Sequence, residues 1–284
     1  MGALSGIKEL LREGRLFDAL EAVKREVRSN PVDISLRYCL FELVCATGDW
    51  SRCKAQLETL MSLGGDPSSG IGILADLNAS IERDRCWAGD FKPRWIGNPD
   101  ADDLRLMVEL EQAIQDGSKA DSYKAWTRVR EFSNGMAFGP GSVDGISFSE
   151  IATADDRLPG LLEVSAQGEY WWLLMGSVKR IEMAARSGKL SDLRWIPARV
   201  FLEDGSVSEM TIFGFYPGTE TSDDLEARLA KRLSWRDLPD EIAFGEGPQM
   251  LWVDGESRPL HEMKVIEFTS GETNAETSND PKNL

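Results

Sequence analysis

Apolar residues recur every three to four positions through the first 132 residues of the chain. This spacing lines one side of a helix with apolar side chains, which is typical of amphipathic helices that pack on a core. Glycine, proline and aspartate separate the apolar stretches and mark helix ends. The pattern predicts seven helices, at about 3–13, 16–29, 33–46, 50–62, 70–87, 101–116 and 118–132.

The first four predicted helices contain an internal repeat with a period of 34 residues. In each unit a glycine separates two helices, and a small residue follows five positions later. Glycine permits a tight turn, and the small residue lets the two helices approach closely. This pattern predicts tetratricopeptide-like helix pairs. The matched pairs are Leu10 with Val44, Gly14 with Gly48, Leu16 with Trp50, Ala19 with Cys53, and Val23 with Leu57.

After Phe148 the pattern changes to short apolar runs separated by turns about every ten residues. Such spacing is typical of an antiparallel sheet or a small barrel. Asp155 to Val164 forms the transition, because acids and an arginine precede a Pro-Gly turn there. The pattern predicts strands at 161–164, 170–174, 178–183, 199–202, 207–215, 249–253 and 263–268, and one helix at 222–233.

We therefore predict an α+β fold in two domains. A tetratricopeptide-like helical domain spans 1–132, and a β-rich domain spans 150–268. Four glycines in 133–149 favour a linker between them, without the spacing of a phosphate-binding loop. The polar, apolar-poor stretch 269–284 is predicted to be a disordered tail.

The net charge of −16 is concentrated near the end of the chain, since residues 200–284 hold 18 acidic and 7 basic residues. A surface of this sign repels a phosphate backbone, so we expect no direct binding to nucleic acid. No run of about 18 apolar residues occurs and the first residues do not resemble a secretion signal. We therefore expect no membrane span and a cytoplasmic location.

Cysteine and histidine offer little for metal or redox chemistry. The four cysteines include no CxxC pair, and His261 is the single histidine. The simpler interpretation is that the cysteines are small apolar side chains packed in the core. The alternative is a metal or redox site. We expect no cofactor, no metal, no disulfide and no catalytic histidine. The cysteines are Cys39, Cys45, Cys53 and Cys86.

Acidic residues around the Pro-Gly turn have two interpretations. Asp155, Asp156, Glu163 and Glu169 could supply paired carboxylates for acid–base catalysis or for a cation. They could instead fix a turn and the strand edges beside it, with Arg157 paired to Asp155, Asp156 or Glu163. We favour the second interpretation, in which Arg157 is structural.

Tryptophans are frequent in the β-rich region. Neighbours on a strand point to opposite faces, so only one of Trp171 and Trp172 can enter the core. Aromatic side chains also anchor protein interfaces, which makes a protein-binding patch equally plausible. The others in this region are Trp195, Trp235 and Trp252.

The order of short motifs along the chain resembles the ImpE/SciE (TagJ) family of accessory proteins of bacterial type VI secretion. The resemblance covers nearly the whole chain up to Phe268. The motifs are Glu13-Gly14-Arg15, Asn30-Pro31, Leu36-Arg37, Gly48-Asp49-Trp50, Asp156-Arg157-Leu158, Gly168-Glu169-Tyr170-Trp171-Trp172, Trp195-Ile196-Pro197-Ala198, Tyr216-Pro217-Gly218 and Ser234-Trp235.

The resemblance implies a cytoplasmic, non-enzymatic protein that binds the N-terminal helix of the small sheath subunit. The resemblance also implies that, in some systems, such a protein connects the contractile sheath to the ClpV-type disassembly ATPase. Repeat helices that offer a groove to an amphipathic helix agree with this. The alternative is an enzyme of unknown reaction that uses carboxylates of the β-rich domain. Candidate partner-binding residues are Arg37, Phe41, Val44, Asp156, Arg157, Tyr170, Trp172, Trp195 and Trp235.

Overall fold

The computed structural model describes residues 3–64, 67–117, 123–133, 136–186 and 189–269. Seven helices occupy the first part of the described chain. Their ends agree with the predicted ends within about three residues. The start predicted at 118 for the last of them cannot be compared, because residue 118 lies outside the described ranges. The seven helices are α1 (Ala3–Arg12), α2 (Leu16–Ser29), α3 (Ile34–Cys45), α4 (Trp50–Ser62), α5 (Pro67–Trp87), α6 (Ala101–Asp116) and α7 (Tyr123–Ser133).

The repeat turns are built as the sequence indicates. Gly14 and Gly48 both have a left-handed backbone, with φ of 75° and 71°, which explains why glycine stands at each turn. Asp33 and Asp49 cap α3 and α4, because each carboxylate accepts a hydrogen bond from a backbone N–H three residues on, at 3.0 Å. The Asp33 cap fixes where the second unit of the repeat begins, and the Asp49 cap fixes where the second helix of that unit begins.

Strands dominate the remainder of the described chain, which confirms the α+β class. Nine of them form one sheet in the order β1-β6-β5-β9-β8-β7-β14-β2-β3, β10 pairs with β11, and β13-β12-β4 form a third small sheet. The strands are β1 (Arg94–Ile96), β2 (Gly141–Val143), β3 (Ile146–Phe148), β4 (Ile151–Thr153), β5 (Leu161–Ala166), β6 (Glu169–Leu174), β7 (Val178–Met183), β8 (Trp195–Leu202), β9 (Val207–Phe213), β10 (Ser234–Asp237), β11 (Ala243–Glu246), β12 (Met250–Val253), β13 (Glu256–Pro259) and β14 (Val265–Phe268).

The segment expected to be a linker contributes two strands to the large sheet instead. β2 pairs antiparallel with both β14 and β3, and Phe138 bridges Ile151. Gly141 is needed there for space, since a Cβ on it would lie 2.2 Å from the carbonyl oxygen of Glu267. The glycines of this segment therefore serve close strand packing. Of the tail predicted at 269–284, Thr269 donates a backbone hydrogen bond to the Pro140 carbonyl oxygen at 2.8 Å, whereas residues 270–284 lie outside the described residues, as do residues 134 and 135.

The prediction of a helix over 222–233 is wrong. The α-helices in this part of the described chain are two single turns, α8 (Ser191–Arg194) and α9 (Leu225–Arg228), beside four short 3-10 helices. Ala230 adopts a left-handed backbone with φ of 57°, which stops α9 after one turn. The side chain of Arg228 is buried and donates to the Ser222 carbonyl oxygen at 2.5 Å.

One hydrophobic core joins the helical region to the sheet. It contains buried side chains from α1–α7 together with Tyr170, Trp172, Trp195 and Phe213 from the strands. A second core lies on the opposite face of the large sheet. β1 lies between α5 and α6 in the chain and pairs in parallel with β6. The boundary expected at residue 132 therefore does not separate two independent cores.

Candidate functional site

Glu163 is the centre of a buried polar network between α5 and the sheet. Its side chain is fully buried, and Arg83 of α5 donates to its two oxygens at 2.9 and 2.5 Å. Trp87 Nε1 and the Tyr170 hydroxyl also donate to Oε1, at 2.8 and 2.6 Å. Burial raises the pKa of Tyr170 well above its ordinary value, so this hydroxyl stays protonated as a donor. The network holds α5 against β5 and β6.

Trp172 extends this network. Its Nε1 donates to the Tyr170 hydroxyl at 2.6 Å, and the indole is completely buried. Arg83 also donates to the Phe215 carbonyl oxygen at 2.6 Å. Each of these polar atoms thus has a partner, as a buried network requires.

Arg157 forms a second buried ion pair, and Asp155 is its carboxylate. The guanidinium donates to both Asp155 oxygens at 2.9 and 2.6 Å and to the carbonyl oxygens of Pro217 and Gly245 at 2.8 Å. Of the three acids considered from the sequence, Asp156 accepts from the Ala243 N–H at 2.7 Å and Glu163 pairs with Arg83. The pair connects the Pro-Gly turn to the loop at Pro217 and to strand β11.

The turns of the helical repeat pack on the β-rich region. A Cβ on Gly48 would lie 3.0 Å from the Glu220 Cβ, and one on Gly14 would lie 3.4 Å from the Glu226 side chain. Glu42 of α3 accepts from the Ser191 N–H and hydroxyl, both at 2.6 Å. The repeat helices are therefore partly covered by the same chain.

A cleft of about 990 Å³ opens beside the Arg157 ion pair, between the helices and the β10–β11 hairpin. Trp126 of α7 and Phe244 of β11 meet edge to face with ring centroids 5.1 Å apart. Trp235 of β10 is 36% exposed and lies 5.6 Å from the Tyr216 ring. Arg157 closes the floor, 4.7 Å over the Phe244 ring. The cleft is large enough for part of a ligand or a protein segment.

Carboxylates line the side of the cleft formed by the Pro217–Asp224 loop and the end of β11. Asp224 binds Arg232 and caps α9, and Glu246 accepts from the Ser222 hydroxyl. Asp223 is exposed and makes no hydrogen bond or ion pair with any residue that the structure describes. This side of the cleft can therefore receive a cation.

Comparison with known proteins finds similarity to a protein family and to one curated protein. A family model described as ImpE protein matches residues 145–267. The type VI secretion system accessory component TagJ of Pseudomonas aeruginosa is 29% identical over 265 residues, which are 92% of this chain and 90% of TagJ. The chain is therefore similar to ImpE proteins in its β-rich region and to TagJ over nearly its whole length. The resemblance seen in the sequence motifs is thereby confirmed.

The fold of this protein also occurs in a solved structure. The crystal structure of protein VPA1032 from Vibrio parahaemolyticus superposes with a TM-score of 0.78 at 20% identity. The match covers 93% of this chain and 97% of VPA1032. The match therefore includes both the helical region and the sheet, which occur together in one solved chain.

The part of the chain matched by the ImpE model includes most of the cleft. Arg157, Trp235 and Phe244 lie inside the matched range, whereas Trp126 and the other helical residues of the cleft precede it. The cleft is therefore assembled from both regions of the chain.

Most of the partner-binding candidates named from the sequence lie in the interior. Only Trp235 is exposed, and Arg37 and Asp156 are partly exposed. Arg37 is engaged with the Pro31 carbonyl oxygen and with Gln56. A buried side chain offers no surface to a partner in this conformation. The buried candidates are Phe41, Val44, Arg157, Tyr170, Trp172 and Trp195.

Sequence reasoning missed three cleft residues. The sequence does not single out Trp126 or Phe244, and it places Asp223 in the first turn of the helix predicted at 222–233. An exposed carboxylate in a segment rich in turn residues, shortly before the Ser234-Trp235 motif, was the available signal for Asp223. Nothing in the sequence placed α7 opposite β10.

The described residues offer little else for catalysis or metal binding. They contain no cluster of three or more histidine, cysteine, aspartate or glutamate side chains that could hold a metal ion. All four cysteines are free, and burial raises the pKa of the Cys39 thiol to about 11. None of the helices in the described ranges is long and apolar enough to cross a membrane.

Proposed function

We propose that this protein is a non-enzymatic accessory component of a type VI secretion system and acts through protein contacts. The observation that carries the proposal is the similarity to TagJ, which extends through both the helical region and the sheet. A resemblance limited to one region would support only a shared module.

The state of the carboxylates favours binding over catalysis. Glu163 and Asp155 are held in buried ion pairs with arginine, and Asp156 accepts a backbone hydrogen bond. Burial raises the pKa of Asp156, but its position beside Ala243 gives that carboxylate a structural role. Asp155 and Asp156 line a common pocket, but each carboxylate already accepts hydrogen bonds from the protein, whereas acid–base catalysis needs a carboxylate that can reach a substrate proton.

The partner that we propose is the small subunit of the contractile sheath, bound through its N-terminal helix in the cytoplasm. In systems that contain a ClpV-type disassembly ATPase, the protein would also connect the sheath to that ATPase. An aromatic cleft that remains open beside a rigid scaffold supports a role in recruiting a protein segment.

The test is a binding measurement with purified full-length proteins. The protein and the small sheath subunit from the same bacterium are studied by isothermal titration calorimetry, with a sheath subunit that lacks its N-terminal helix as the matched control. We expect a saturable heat for the intact subunit and none for the truncated one. Equal binding of both forms would contradict the proposed use of the helix, and binding of neither would contradict the proposed partner.

A further inference from the structure

The cleft beside Arg157 presents an aromatic surface on one side. Trp235 is the accessible part of it, while Trp126 and Phe244 form its buried base. The Trp235 ring is supported by Tyr216 behind it, so the indole is held in place before a ligand arrives. Aromatic side chains fixed in this way are the usual anchors of protein interfaces.

The opposite side is acidic in a region that is itself acidic. Asp223, Asp224 and Glu246 line the cleft, and residues 200–284 hold 18 acidic against 7 basic residues. Asp224 is paired with Arg232, whereas Asp223 and Glu246 form no ion pair with any described residue, although the charge of Asp223 also acts on the largely buried Arg228. Their negative charge is available to an incoming cation.

The two arginines that line the cleft do not reverse this charge. The charge of Arg157 is matched by Asp155 in a bidentate pair. Arg236 lies on the aromatic side, 5.4 Å over the Phe244 ring. Asp155 balances Arg157, and Arg232 balances Asp224. Arg236 then offsets only one of the two remaining carboxylates, so the residues that line the cleft keep a small net negative charge beside the aromatic side.

From these contacts we propose that the cleft is the docking site for the partner helix, and that the helix it takes is amphipathic and basic. This inference rests on the proposed function. An aliphatic or aromatic residue of the helix packs on Trp235, and a lysine or arginine about one turn away pairs with Asp223 and Glu246. The recognition surface is thus formed by the β10–β11 hairpin and the 217–224 loop facing α7.

The packing of the repeat helices agrees with this location. Phe41 and Val44 of α3 are buried, and the turns after α1 and α3 contact Glu226 and Glu220 of the β-rich region. A groove between repeat helices is the common docking surface of repeat proteins, but here those side chains belong to the shared core. The open, charged and aromatic surface lies at the cleft instead.

The experiment compares two cleft variants with two matched controls in the full chain, using the small sheath subunit and a synthetic peptide of its N-terminal helix as probes. Trp235→Ala removes the aromatic anchor, and Trp252→Ala removes an indole that is 42% exposed on β12, outside the cleft. Asp223→Lys reverses the cleft charge, and Glu58→Lys makes the same change on the exposed side of α4.

We expect each cleft variant to weaken the dissociation constant for both probes by about tenfold or more, because anchors at interface centres and close charge pairs carry effects of this size. The controls should stay within about twofold of the unmodified protein. Asp223 is exposed and forms no hydrogen bond or ion pair with any described residue, and the melting temperatures of both cleft variants are measured so that lost binding is distinguished from lost folding.

The outcomes separate this inference from the proposed function. If the unmodified protein binds neither probe, the proposed partner is wrong. If it binds and the cleft variants bind equally well, the partner stands and the cleft is not the docking site. Equal losses in the cleft and control variants would also overturn the cleft as the docking site.

Discussion

At the scale of single residues, Glu163 connects the two regions of the molecule. It lies on β5, yet Arg83 and Trp87, two of its hydrogen-bond donors, belong to α5. A buried carboxylate is tolerated only when such partners replace the water it has lost. The same residue that sequence reasoning weighed as a catalytic acid is therefore a structural junction.

Replacing Glu163 with glutamine should strongly destabilise the fold. The change leaves the Arg83 charge buried without a counter-charge, and breaking buried pairs in this way costs roughly 3–5 kcal/mol. Urea unfolding should show the loss as a lower midpoint. Glu169→Gln on the neighbouring strand removes an exposed partner of Arg94 and should leave the midpoint nearly unchanged. Equal effects of the two changes would contradict the role given to Glu163.

Arg157→Ala should lower stability by about 3 kcal/mol, since Asp155 would remain buried and uncompensated. Lysine should restore little of this, because it cannot reproduce the bidentate pair or reach both carbonyl oxygens at once. Denaturant melts of the two variants check the expectation. A fully stable Arg157→Lys protein would mean that charge alone suffices at this position.

Asp76 should make stability depend on pH. Burial raises the pKa of this carboxyl from 3.8 to about 6, although Ser165 and Thr211 hydrogen-bond to it. The folded state therefore holds the proton more tightly than the unfolded state, so the contribution is full below about pH 4 and is lost as pH rises through about 6.

Asp76→Asn keeps hydrogen-bonding groups at this position and removes the titration. We expect the stability of the variant relative to the unmodified protein to grow between pH 4 and pH 7, by up to about 3 kcal/mol. Urea midpoints of both proteins measured across this range provide the check. A constant difference over the whole range would show that Asp76 does not titrate in this way.

At the scale of elements, the turns of the helical repeat have two separate constraints. Gly48 and Gly64 both need a left-handed backbone, with φ of 71° and 92°. Of the two, Gly48 also faces the β-rich region, where a Cβ would lie 3.0 Å from the Glu220 Cβ, whereas a Cβ on Gly64 would meet no described residue within 4 Å.

Alanine at each of these glycines separates the two constraints. We expect Gly64→Ala to cost about 1–2 kcal/mol from backbone strain alone. Gly48→Ala should cost more, because Glu220 must also move away. Thermal melts of the two variants give the comparison, and equal losses would mean that the contact between the repeat turn and the β-rich region adds nothing.

The elements themselves could be predicted well from the sequence, for local reasons. Turn glycines and capping aspartates such as Gly14, Gly48, Asp33 and Asp49 mark the helix ends, and the apolar runs indicate seven of the fourteen described strands. β1 was missed because three residues between Pro93 and Gly97 have no pattern of their own and become a strand only by pairing with β6.

The cleft could not be predicted from the sequence, for a related reason. Its walls combine Trp126 with Trp235 and Phe244, which are far apart in the sequence, and only tertiary packing brings them together. Aromatic and charged residues could be recognised as candidates, but not which of them would be buried. Long-range packing, rather than local propensity, decides that assignment.

At the scale of the whole molecule, the helices and the sheet share one core, so they should unfold together. We expect far-ultraviolet circular dichroism and tryptophan fluorescence to report the same urea midpoint. A fragment of residues 1–132 should not fold stably, because it would expose the side chains that pack on Tyr170, Trp172 and Trp195. Two separate transitions, or a stable helical fragment, would indicate independent domains.

The central claim is that a partner of the secretion system binds in the cleft between the helices and the β10–β11 hairpin. Hydrogen exchange of the full chain, with and without the small sheath subunit, measures this directly. We expect slower exchange on binding in α7, in the 217–224 loop and in the β10–β11 hairpin, with little change in α1–α4. Protection confined to α1–α4, or no protection at saturating partner, would contradict the claim.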